Sequence, residues 1–245
     1  MTTRTLLLTL AGPQQAWGTS SRFATRSTGQ APTRSGVLGL VAAALGMDRT
    51  ATLDHFRGVR FGVRIDRPGR VERDFQTART LDGKTSMPLS HRYYLADAVF
   101  VVGLETDHEL LGEIHAALRR PRYPLYLGRR AFPPAGPIPT KMVDADLRTA
   151  LTTAPWQKPR SHGEAAPTFL EMLLDAEPGG PVDLSVEDDP ISFDPRRRRY
   201  GWRDIQILRI DPPGAEPATV LGQPEPGAFA LPVHDPMLLV SEEEV

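Results

Sequence analysis

The chain has 245 residues, of which 40 % are hydrophobic and 24 % charged, and it contains no cysteine. That composition belongs to a globular chain of one large or two small domains, and it excludes disulfides, thiolate metal sites and cysteine nucleophiles. A formal net charge of −1 argues against a polyanion binder, but the distribution reverses the argument. Residues 1–130 carry 19 cations against 11 acids, and residues 131–245 carry 10 against 19. A basic half joined to an acidic half is the pattern expected where one face meets a polyanion. Of the 29 cations 26 are Arg, the residue suited to bidentate phosphate contact and to stacking. No apolar run reaches the roughly 18 residues of a membrane span. The start, Met1 to Leu8, lacks the layout of a signal peptide, so a cytoplasmic chain without a membrane partner is expected.

Thr5 to Ala11 reads as a buried first strand, ended by Gly12-Pro13. Residues 13–32 have no apolar period and form a long loop holding Gln14, Gln15, Trp17, Arg22, Phe23 and Arg26. Loops of that length in compact domains are usually functional or disordered, and these residues argue for function. Pro32 to Gly46 predicts the clearest helix, capped by Thr33 or Ser35, lined by Val37, Leu38, Val41, Ala44 and Leu45, and stopped by Gly46. Val59 to Ile65 alternates apolar and basic residues, as in a strand with one solvated or ligand-facing side.

Residues 66–92 lose apolar content and predict a protruding hairpin or mobile arm. Tyr93 to Leu104 reads as the next core strand, and His108 to Arg120 as an amphipathic helix. The order β, α, β, arm, β, α is a split βαβ arrangement, ferredoxin-like and thus α+β, whose fourth strand is Leu125–Leu127 or lies later. Further on, Leu147 to Leu151 and Thr168 to Leu174 predict short helices, Asp204 to Ile210 a strand, and residues 211–228 a proline-rich linker.

The six histidines form no ligand cluster, so no metal is expected. Gly12 to Gly18 lacks the Gly-Lys-Ser/Thr ending of a nucleotide-phosphate loop, and there is no GxSxG elbow. Polyanion binding is the stronger signal. Thr33-Arg34-Ser35-Gly36 opens a helix, where free N–H groups and the positive end of the helix dipole make a phosphate seat. The bland alternative is an ordinary capped helix. Trp17 adds a ring that either stacks on a base or plugs the loop from below. Arg122-Tyr123 and Tyr126 to Arg130 repeat the mixture of rings and guanidinium groups. The run Arg196 to Arg199 before Tyr200 is the densest cation cluster, but it lies in the acidic half beside Glu187 to Asp189, where internal pairing competes with RNA contact.

Three motifs in order, Leu10 to Gly18, Pro32 to Leu40 and Pro121 to Arg130, resemble the CasD subunits of the type I-E CRISPR Cascade complex, a branch of the RAMP superfamily. Tyr93 to Phe100 also resembles that family's central strand. The resemblance runs from about residue 5 to 140 and weakens beyond, with a return around Tyr200 to Arg203. It implies a ferredoxin-like (RRM-related) palm over residues 1–140, with an inserted β-hairpin thumb at 66–92. A smaller, irregular C-terminal part follows at 141–210, and a Pro-rich tail at 211–245. It further implies a non-catalytic subunit of a ribonucleoprotein complex that holds the 5′ handle of the CRISPR RNA. The neighbouring partners would be the Cascade backbone subunit and the large subunit, with target DNA reached through the assembled complex.

By motif, handle contact is carried onto Gln15, Trp17, Arg22, Arg26, Thr33, Arg34, Ser35, Gly36, Arg129 and Arg130. Composition adds Arg79, Lys84, His91 and Arg92 as thumb candidates. No cofactor is implied. Two other readings stay open: a repeat endoribonuclease using His91, Lys84 and Tyr93 or Tyr94 for acid–base work, and a protein-interaction scaffold without direct RNA contact.

Overall fold

The computed structural model describes residues 4–18, 25–157 and 167–214. The expected tail at 211–245 therefore lies almost wholly outside the described residues, as does Arg22. The fold is a mixed α/β arrangement dominated by one large antiparallel sheet. Its strands are β1 (Arg4–Ala11), β4 (Arg60–Arg67), β7 (Val99–Thr106), β8 (Thr140–Val143), β9 (Leu170–Asp175), β10 (Leu184–Ser192) and β11 (Arg199–Ile210). They lie in the order β10-β11-β9-β4-β7-β1-β8. The helices are α1 (Arg34–Leu45), α2 (His108–Arg119) and α3 (Leu147–Thr153). A second sheet holds β5 (Arg70–Gln76) on one edge of β6 (Ser90–Ala96), with the two-residue strands β2 (Gln14–Gln15) and β3 (Thr25–Arg26) on the other.

The alternation along β1 decides the layers. Leu6, Leu8 and Leu10 point to the face covered by α1 and α2, where they meet Val37, Leu38, Val41, Leu111 and Ile114. Leu7 points to the opposite face, under α3, with Val101, Leu147, Leu151, Met172 and Leu174. Gly62 and Gly103 lie opposite each other in the β4–β7 register. A Cβ on either would come within 2.6 Å of a leucine side chain, so this glycine pair is what lets α3 lie on the sheet. The caps follow the sequence: Thr33 Oγ1 accepts the Gly36 N–H at 3.2 Å, and Gly46 closes α1 at φ 77°.

Of the two places expected for the fourth strand of the β1–α1–β4–β7–α2 run, the later one holds: it is Thr140–Val143. Other elements differ from expectation. The segment read as one core strand from Tyr93 is two strands in two sheets, broken at Asp97, whose φ is 57°. Thr168 to Leu174 is not a helix: Leu170, Met172 and Leu174 alternate inward on β9. The C-terminal part is regular, since β9, β10 and β11 extend the main sheet from β4.

The basic face of β4 is not ligand-facing either. Arg64 is fully buried under α3. Its guanidinium grips the Asp66 carboxylate at 2.7 and 2.9 Å, and donates to the carbonyls of Leu151, Ala154 and Pro155. One buried cation thus satisfies carbonyls that the end of α3 leaves without intrahelical partners. No helix among the described residues is long and apolar enough to cross a membrane.

Candidate nucleic-acid interface

The predicted site residues separate into a buried framework and an open cationic surface. Gln15 and Trp17 belong to the framework. Gln15 is 0 % exposed and donates through Nε2 to the carbonyls of Ala98 and Leu10. Its Oε1 accepts the indole N–H of Trp17, itself 1 % exposed, at 3.1 Å. The Trp17 ring lies against Gly36, where a Cβ would come within 2.9 Å of it. Of the two roles for Trp17, the structure selects the brace: the ring fixes the loop onto the start of α1 and has no face left for a base.

The phosphate seat at the start of α1 is filled from within the chain, which corrects the reading of Arg34. Asp188 of β10 accepts the Arg34 backbone N–H at 2.8 Å. The Arg34 guanidinium pairs with Asp189 at 2.7 Å and Asp175 at 3.2 Å. Arg203 clamps Asp188 from the other side through two bonds of 2.9 Å and reaches Asp175 at 2.7 Å. Burial by itself would lower the Arg203 guanidinium, but the bonds and charges of Asp188 and Asp175 hold it above its ordinary value. The acids beside the arginine run therefore pair across the fold. Thr33 spends its hydroxyl on the cap. Ser35 is half-buried and faces a cleft with Gly36.

Arg26, Arg92 and Arg129 form the open surface. Arg26 and Arg92 are register partners in the parallel β3–β6 pair. Arg129 reaches over them from the loop after α2, its Nη2 donating to the Arg26 carbonyl at 3.0 Å. Its guanidinium lies 5.7 Å from the centroid of the Phe132 ring, which in turn meets Tyr94. Burial, then the charges of Arg92 and Arg26, lowers the Arg129 pKa below its usual value. No ion pair joins any of the three to an acid among the described residues. Asp74 stands opposite Arg92 in register, yet its carboxylate accepts the Phe75 N–H instead. Arg92 Nε and Arg129 Nη1 are buried donors with no partner. Three guanidinium groups held together against their own repulsion, with donors unspent, make a site that an anion would complete.

Gly128 makes this placement possible. Its φ is 87°, and a Cβ there would lie 1.7 Å from the Ala16 carbonyl oxygen. The loop is pinned at Leu127, whose carbonyl accepts the Ala16 N–H and whose N–H donates to Phe132. Arg130 turns the other way, toward a cleft of about 800 Å³ along α1. The remaining thumb candidates do not join the cluster. Arg79 and Lys84 are exposed at the end of the β5–β6 hairpin, beside the Arg79–Ser86 bridge. His91 lies on the face of β6 opposite Arg92, its Nδ1 buried and unpartnered. Tyr94 donates to Glu72 at 2.9 Å, a bond that raises its pKa. Among the described residues no three His, Cys, Asp or Glu side chains group to hold a metal.

A sequence model of the family described as CRISPR-associated protein (Cas_Cas5) matches residues 5–206. The chain belongs to that family of CRISPR-associated proteins. A curated relative in the CRISPR field, the CRISPR system Cascade subunit CasD of Escherichia coli (strain K12), is 40 % identical over 153 residues, covering 54 % of this chain and 68 % of the relative. Two solved structures share the CRISPR-associated fold. One, described as a crystal structure of a Cas protein, is 37 % identical with a TM-score of 0.69, over 87 % of this chain and all of that one. The other, a chain of a CRISPR RNA-guided surveillance complex, is 36 % identical with a TM-score of 0.71, over 86 % of this chain and 91 % of that one. The resemblance to type I-E Cascade subunits, read from the three motifs, stands.

Proposed function

We propose that the chain is a non-catalytic subunit that holds the 5′ handle of the CRISPR RNA in Cascade and contacts the backbone and large subunits, through which the complex reaches target DNA. The observation that carries this reading is the convergence of Arg26, Arg92 and Arg129 into one unpaired cationic cluster. Such a cluster suits a phosphodiester backbone, which supplies negative charge without needing base identity. In the same reading, the β1–α1–β4–β7–α2–β8 core is the ferredoxin-like, RRM-related palm. The β5–β6 hairpin is the thumb, its exposed Arg79 and Lys84 available to RNA or to a neighbouring subunit. Arg130 and Ser35 remain contact candidates at the cleft; Gln15, Trp17, Thr33, Arg34 and Gly36 act by shaping the surface.

The endoribonuclease reading finds less support among the described residues. His91 and Tyr93 share one face of β6 and Tyr94 the other, and Lys84 lies in the turn of the hairpin. The test is binding of the full chain to handle RNA over a salt series. The reading predicts a steep fall of affinity with salt, a shallower slope in the Arg26→Ala/Arg92→Ala/Arg129→Ala variant, and intact RNA after incubation. A cut at one fixed position, lost in His91→Ala, would transfer the chain to the endoribonuclease reading. Salt-independent or absent binding would favour the scaffold.

A further inference from the structure

The cleft along α1 is walled by two distant stretches of sequence. Its floor is α1 at Gly36 and Gly39, and at Gly39 an added Cβ would meet nothing closer than the Phe193 ring at 3.7 Å. One wall is the loop after α2, carrying Tyr123, Tyr126 and Arg130. The loop is tied to the end of α1 by the N–H groups of Arg122 and Tyr123, which donate to the carbonyls of Ala44 and Ala43. The other wall is the β10–β11 hairpin, with Arg198 in its turn and Tyr200 at the start of β11. That turn is set by Asp194, whose carboxylate accepts the Arg196 N–H at 2.8 Å. The hairpin behind it is fixed to α1 by the Asp188, Arg203 and Arg34 bonds already described.

The lining has a definite chemistry. Rings come from both walls. Arg130 and Arg198, together with Arg49 at the end of the cleft, form no ion pair or hydrogen bond among the described residues. Tyr123 is a large ring left 50 % exposed. A cleft of about 800 Å³ has the size of a small-ligand site. Rings with free guanidinium groups at the rim are the means by which unpaired RNA bases are held: the base on a ring, the phosphates on the cations.

We propose that this cleft seats an unpaired nucleotide of the bound RNA. Tyr200 supplies the surface for the base, and Arg198 and Arg130 hold the adjoining phosphates. The inference rests on the RNA reading and extends it to the acidic half of the chain. It gives the Arg196 to Arg199 run a role: only Arg198 of that run lines the cleft, while Arg196 and Arg197 take part in the turn.

The test uses the purified full chain and a series of handle RNAs, each with one abasic position, read by fluorescence anisotropy. One abasic position should weaken wild-type binding about tenfold, the loss of a stacked base. In Tyr200→Ala that position should cost nothing further, and Tyr200→Phe should restore the difference. Arg198→Ala, at an exposed position, should reduce the salt slope by about one. Its slope also decides the question if Tyr200→Ala fails to fold. Wild-type binding by Arg198→Ala and Tyr200→Ala, with Arg129→Ala weakened, would overturn the cleft assignment and leave the RNA reading in place. Absence of salt-dependent binding by the wild type would remove both.

Discussion

The Asp188 carboxylate accepts the backbone N–H of Arg34 at 2.8 Å, across 154 residues of sequence. A carboxylate of the chain thus occupies the helix end at which an external phosphate is expected, and Arg34 faces Asp175 and Asp189 instead of solvent. Arg34→Ala is therefore a stability variant. Breaking a buried, hydrogen-bonded charge network on one side costs about 3–5 kcal/mol. Urea denaturation should show a loss of that size for Asp188→Ala and a comparable one for Arg34→Ala. Under conditions where Arg34→Ala stays folded, its RNA salt slope should equal the wild type's. Full stability with a reduced slope would restore the phosphate seat.

Arg26, Arg92 and Arg129 predict the opposite trade. Their mutual repulsion and the burial of Arg129 cost the free chain stability, as the lowered Arg129 pKa indicates. Arg92→Ala relieves that repulsion. Thermal denaturation should show an unchanged or higher Tm, while the log–log salt slope of RNA binding falls by about one. A lower Tm with unaltered RNA binding would make the cluster structural.

Asp146 gives a pH-dependent prediction. Its carboxylate caps α3, accepting the Thr149 N–H at 2.9 Å, and that bond lowers its pKa from the ordinary value. A depressed carboxylate stabilises the fold above its unfolded pKa of about 3.9, and the contribution disappears as pH falls through the folded value. Asp146→Ala should cost about 1 kcal/mol at neutral pH. Wild type and variant should converge as the solution is acidified below the ordinary carboxylate range, where the folded carboxylate is protonated too. A difference that persists there would show that the cap acts without its charge.

Gly128 is the backbone condition for the cationic loop. Alanine there meets the Ala16 carbonyl at 1.7 Å in a left-handed conformation. Gly128→Ala should lower Tm by several degrees, about the effect of 1–3 kcal/mol in a domain of this size, and should weaken RNA binding through displaced Arg129. Gly136→Ala, in the same loop with nothing within 4 Å of the added carbon, is the matched control and should change neither.

The local elements were readable where one period dominates. The apolar stripes of α1 and α2 and the short apolar run of β1 announce themselves, and so does the arm that becomes the β5–β6 hairpin. The alternation of β9 is masked because the intervening positions at Leu173 and Glu171 mix apolar and charged residues, so its period of two is not visible. The break at Asp97 depends on a single left-handed residue. The site is harder for a general reason. A sequence shows that Arg34, Arg64 and Arg203 are cations but not that Asp188, Asp66 and Asp175 wait for them across the fold. Whether a guanidinium meets an acid is a tertiary property, and the lack of an acid partner among the described residues separates Arg26, Arg92 and Arg129 from arginines of identical chemistry. Arg198 and Tyr200 were visible as a cation run beside a ring; the acids next to them obscured the role, because those acids are spent on α1 and Arg203.

The most direct measurement is zero-length ultraviolet crosslinking within the assembled, RNA-loaded complex, followed by sequencing of the crosslinked peptides and nucleotides. The account predicts adducts between repeat-derived 5′ nucleotides and peptides containing Arg26, Arg92 or Arg129. Adducts confined to other subunits, or to spacer-derived nucleotides, would contradict it.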